Sequence, residues 1–173
     1  MANISKLESA TRHLAAAVRL FLEEQDPIVV HTVAAAAQGT LRDIARATHA
    51  PHQSILHDHP EIRPEDRKRW VTALNAPRNF FKHADSDPDG TLEFDEESNV
   101  DVLLDAVLLH SVLSDEPLSE AAVFMGWFTT ANPSMRKAVS SNTIGEFAVR
   151  NGLRAHEKMR FRELVGRRLL VGR

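Results

Sequence analysis

Apolar residues recur at Ile4, Leu7, Leu14, Val18 and Phe21, a three-and-four spacing that gathers them on one face of a helix across residues 3–24. Ser5 and Glu8 form a Ser-x-x-Glu capping box at its start. Asp26-Pro27 reads as an N-cap with a first-turn proline, opening a second helix with the stripe Val30, Val33, Ala34, Ala37, Leu41, Ile44 and Ala47. The short connection favours an antiparallel hairpin, and the alanines from Ala34 to Ala37 favour a close helix contact. Periodicity stops between His49 and Pro60 and resumes at Pro64, where Glu65 and Asp66 suit the helix dipole, through Trp70, Val71 and Leu74. Pro77 is expected to break or kink that helix, because an interior proline removes a backbone donor and crowds the preceding turn, leaving Phe80 and Phe81 in turns beyond it. Asp87-Pro88-Asp89-Gly90 is a turn signal, and Thr91-Leu92-Glu93-Phe94 alternates briefly like an extended segment.

Val100, Leu103, Leu104, Val107, Leu108, Leu109 and Val112 make so wide a stripe that the helix over 99–112 is expected to be the central, most buried one. A further helix starts near Pro117, uses Leu118, Ala121, Phe124, Met125 and Phe128, and stops at Asn132-Pro133. Thr143 and Glu146 form a second capping box, Asn151-Gly152 a glycine C-cap, and a closing helix runs through Met159, Leu164, Val165 and Leu169. The pattern predicts an all-α single domain, a helical bundle over 3–112 with a helical extension over 113–173.

Composition narrows the setting. A chain of 173 residues that is 43% hydrophobic suffices for one buried core. The absence of cysteine removes disulfides, thiolate metal sites and a cysteine nucleophile. No apolar run approaches the roughly 20 residues of a membrane span, so no membrane partner is expected and the expected location is the cytoplasm. A formal net charge of −3 gives no global attraction to nucleic acid, so a polyanion needs a local basic patch. The closing segment offers one, with Arg150, Arg154, Lys158, Arg160, Arg162, Arg167, Arg168 and Arg173 against Glu146, Glu157 and Glu163.

The candidate chemistry concentrates between Arg78 and Glu96. Arg78, Asn79 and His83 stand as Arg-Asn-x3-His ahead of an apolar helix. On these residues and the helical pattern from Asn3 to Leu113, the chain resembles the HEPN family of metal-independent ribonucleases and RNA-binding domains. That resemblance implies a helical bundle, RNA as partner, no cofactor, and a homodimer in which the same two residues of each subunit complete the site. His83 would move the proton of a ribose 2′-hydroxyl while Arg78 steadies the charge developing on the phosphate. The run Asn79-Phe80-Phe81-Lys82-His83-Ala84-Asp85 is also similar to a signature of bacterial proteins that brings no function with it.

Two metal readings stand beside this one. Asp85, Asp87, Asp89, Gly90, Thr91, Glu93 and Glu96 match the register of a calcium-binding EF-hand loop, in which alternate oxygens wrap a hard cation. Pro88, however, occupies a position where that loop needs a left-handed residue. His49, His52, His57, Asp58 and His59 bring donors suited to zinc or another transition metal, although their spacing matches no closed tetrahedral motif. The remaining alternative is a non-enzymatic helical protein-interaction module whose functional surface lies near Trp127 and Phe128.

Overall fold

The computed structural model describes residues 2–83, 85, 87–137 and 143–165. Among them every regular element is helical: α1 (Lys6–Leu22), α2 (Pro27–Ala47), α3 (Pro64–Lys82), α4 (Ser98–Leu113), α5 (Ser119–Ala131), a 3-10 turn (Pro133–Lys137), α6 (Thr143–Arg150) and α7 (Lys158–Arg162). The fold is all-α. None of these helices is long and apolar enough to cross a membrane.

Caps set the first two boundaries. Ser5 Oγ accepts the Glu8 amide at 3.0 Å, while the Glu8 carboxylate turns to Arg12 at 2.6 Å. Asp26 Oδ1 accepts from the amides of Ile28 and Val29 at 2.9 and 3.3 Å, with Pro27 preset for the first turn. The hairpin of α1 and α2 packs on α4, and α5 lies against α1 with α6 and α7 beyond it. One apolar cluster joins all of these, from Leu14 and Leu41 through Leu103 and Phe124 to Ile144 and Phe161.

Two expectations need correction. Among the described residues the most continuously buried stretch is Val123–Thr129 of α5, whereas Val112 of α4 is exposed and Leu104 and Leu108 are only half-buried. The reason is that α5 is enclosed by α1 on one side and by α6 and α7 on the other. Helix α3 also runs on through Pro77 to Lys82, so Phe80 and Phe81 are helical. The carbonyl that Pro77 deprives of a donor belongs to exposed Ala73, where water can take the missing bond. No residue of α3 is fully buried, and it packs mainly on α2.

Helices α5 and α6 meet at Gly126, where a Cβ would run into the branched side chain of Ile144 and come within 3.2 Å of the Gly145 amide nitrogen. Gly126→Ala is therefore expected to lose about 1–2 kcal/mol in thermal or urea unfolding, the overpacking outweighing alanine's helix preference. An unchanged or raised stability would refute that close approach. Gly152, at φ +62°, ends α6 as the sequence predicts. Leu169, Arg167, Arg168 and Arg173 lie outside the described residues.

Candidate functional site

Helix α4 carries one carboxylate inside its apolar face. Asp105 is fully buried and accepts from Gln38 Nε2, Ser54 Oγ and the Ile55 amide, each at 2.7 Å. Three donors around one enclosed carboxylate join α2, the histidine-rich loop and α4. His57 Nδ1 lies 3.2 Å from Ser54 Oγ and 3.3 Å from Gln38 Nε2. Burial, and then the charge of Arg42, lower its pKa, with Asn75, Asp105 and Asp58 pulling the other way. Although Ser, His and Asp meet here, the serine stands between the other two. Its single proton goes to Asp105, so the imidazole has none to take and the group is no nucleophilic triad.

Arg78 belongs to this interior. A Cβ on Gly39 would lie 2.6 Å from Arg78 Nη1, so the glycine leaves room for the guanidinium against α2. A cavity of about 20 Å³ there is lined by Arg78, His31, Gln38, His57 and Asn75 among others. Asn79 and His83 are exposed, His83 as the C-terminal cap of α3. Arg78 and His83 thus have different surroundings, the guanidinium half-buried against α2 and the imidazole exposed at the end of α3.

The acidic loop folds as a turn: the Gly90 amide donates to the Asp87 carbonyl at 3.2 Å, and the Asp87 carboxylate lies over Gly90. Thr91–Asp95 forms no strand, and Asp85, Asp87, Asp89, Thr91, Glu93 and Glu96 are all exposed. The turn brings Phe94 back onto Phe81, with ring centroids 5.2 Å apart, and both rings stand edge-on to His31. His31 Nδ1 donates to Asn99 Oδ1 at 2.9 Å and Asn99 Nδ2 to the Pro27 carbonyl at 3.0 Å, leaving His31 Nε2 enclosed without a partner. The four histidines of the second loop also part. His49 is exposed at φ 52°, His52 is half-buried, His57 faces Asp105, and His59 Nδ1 accepts the Glu61 amide at 3.3 Å. Among the described residues no group of three or more His, Asp or Glu side chains converges as a ligand set.

A concavity of about 1010 Å³ is surrounded by the α1–α2 turn, the start of α4, the end of α5 and Lys158. Its apolar lining includes Phe21, Val30, Trp127, Phe128 and Met135, with Met135 44% exposed. Trp127 Nε1 donates to the Ala155 carbonyl at 2.8 Å, which fixes the indole, and Phe21 stands edge-on to it at 4.7 Å. Lys158 holds its ammonium 4.2 Å above the Phe21 ring. Glu24, Asp95, Glu96, Glu97 and Asp101 also line the cleft. Partial burial, and then Asp95, raise the Asp101 carboxyl above its usual range. Compared with family models, curated proteins and solved structures, the chain matches none.

The basic closing segment is mostly ion-paired where it is described. Arg162 binds Glu23 at 2.6 Å, Arg160 binds Glu157 at 2.8 Å and Arg150 reaches Glu146 at 3.4 Å. The sequence pattern points to Trp127 and Phe128 but assigns Phe21 to a helix stripe, Lys158 to a basic patch and Glu96 to a metal loop, not to their shared cleft. It also missed Asp105, whose signal was a lone charge between Leu104 and Ala106 in an apolar run.

Proposed function

We propose that the protein is a non-enzymatic helical interaction module that binds a segment of a partner protein in the cleft over Phe21, Trp127 and Phe128. The single observation that carries this reading is the cleft: about 1010 Å³, lined by both apolar and charged side chains, with exposed Met135 at its edge. The placement of Arg78 supports it from the other side. A ribonuclease would need the guanidinium beside the imidazole, yet Arg78 lies against Gly39 and His83 is exposed at the end of α3.

A random-peptide display against the purified protein tests the module. Peptides should be enriched whose binding weakens by about tenfold or more in Met135→Asp, which charges an already exposed position. Single-stranded RNA incubated with the protein in EDTA should stay intact. Failure to enrich any such peptide, or RNA cleavage abolished by His83→Ala, would overturn the reading in favour of the ribonuclease.

A further inference from the structure

We infer that the segment taken by this cleft is basic as well as apolar, an amphipathic stretch bearing lysine or arginine; the inference rests on the binding-module reading. The first support is the sign of the rim. Glu24, Asp95, Glu96, Glu97 and Asp101 line one concavity, and among the described residues none of the five is in an ion pair. The dipole at the start of α4 accounts for Glu96, Glu97 and Asp101. It does not account for Glu24, which comes from the α1–α2 turn in a left-handed conformation, φ 52°, where glycine is the easier residue.

The second support is Lys158. Its ammonium sits over Phe21 and 5.7 Å from the Trp127 ring, so the aromatic wall already holds a cation supplied by the chain itself. A partner's lysine or arginine can meet the rim carboxylates beside it while its apolar residues cover Met135. Like-charge crowding favours the same occupant. Burial, and then the charge of Asp95, raise the Asp101 carboxyl, and an arriving cation relieves that crowding. RNA fits poorly, since its phosphates would face five carboxylates. A second copy docking through the same cleft would set acid against acid.

The test uses the full chain carrying Trp70→Phe, which leaves Trp127 as the sole indole. One probe is a synthetic peptide of lysine and leucine in amphipathic helical spacing; the other is its glutamate-for-lysine counterpart. The lysine peptide should shift Trp127 emission saturably and bind more weakly as ionic strength rises. Its affinity should fall about tenfold or more in a folded Glu24→Gln/Asp95→Asn/Asp101→Asn variant. Asparagine is chosen at position 95 because Asp95 Oδ1 accepts the Glu97 amide at 3.0 Å, and asparagine keeps that acceptor. Equal affinity in this variant, or no response to the lysine peptide, overturns the inference. A response to the glutamate peptide alone overturns it while leaving the binding module standing; no peptide enriched in display removes both. A concentration-dependent emission shift without peptide would assign the cleft to a second copy. A shift on truncation after Val165 would assign it to the chain's own residues 166–173. Either result also overturns the inference.

Discussion

Asp105→Ala is expected to lose about 3–5 kcal/mol of folding free energy, a large share of the stability of a domain this size. The substitution does more than remove a favourable contact. It leaves the Gln38 amide, the Ser54 hydroxyl and the Ile55 amide enclosed without their acceptor. Two of those donors belong to the histidine-rich loop, so the loop should loosen from α4 before the helices separate. Urea unfolding gives the magnitude, and hydrogen exchange at the Ile55 amide gives the location. Asp105→Asn should cost less, about 1–3 kcal/mol, because one acceptor oxygen survives while the new amide faces a donor. A loss under about 1 kcal/mol for the alanine variant would show that the cluster does not hold the loop.

Acid should weaken the fold early, before the carboxylates titrate. His31, His57 and His110 are all buried, and burial lowers the pKa of each below the ordinary 6.5. The unfolded chain therefore takes up these protons first as pH falls. Stability is full above 6.5 and declines below it until the folded rings titrate in turn. The slope is bounded by about 1.4 kcal/mol per pH unit for each histidine, roughly 4 for the three together. Asp58 and Glu120 act in a lower window. Burial opposes their ionisation, but Arg42 at Asp58, and the backbone amide of Glu120 with Arg19 and Ser119 at Glu120, outweigh it and lower both pKa values, so their contribution is lost only in the carboxylate range. Urea midpoints should accordingly fall between pH 7 and pH 5; a flat profile there would mean that the buried rings accept protons in place. His110 gives a local check. Its Nε2 donates to Thr11 Oγ at 3.1 Å, tying α4 to α1, and Thr11 Oγ has its own proton committed to the Leu7 carbonyl at 2.9 Å.

What the sequence made legible was local. Ser5, Asp26-Pro27 and Gly152 fix helix ends through backbone preferences that act within a few residues, and they act so here. The apolar stripes of α1, α2 and α5 likewise predict their buried faces, because three-and-four spacing is geometry and needs no partner to be seen. Pro77 does not end α3, because the carbonyl it leaves without a donor belongs to exposed Ala73. The interior cluster was illegible for another reason. Gln38 and Asp105 are 67 residues apart, and Ser54 and Asp105 are 51 apart, so no window along the chain contains them together. The same holds for the cleft, which gathers Phe21, Asp95, Trp127 and Lys158 from four separate segments. Arg78 and His83 were conspicuous because they are close in sequence; the fold turns one inward and leaves the other outside.

Backbone amide mapping by NMR during titration of the lysine–leucine peptide tests the functional assignment most directly, since it locates the ligand without assuming where it binds. Shifts should gather in the α1–α2 turn around Glu24, in Asp95 to Asp101, and at the end of α5 from Phe128 to Met135. The Trp127 indole should move with them. Shifts confined to Asn79, Phe80, Lys82 and His83, with the cleft silent, would contradict the account and return the functional surface to the end of α3.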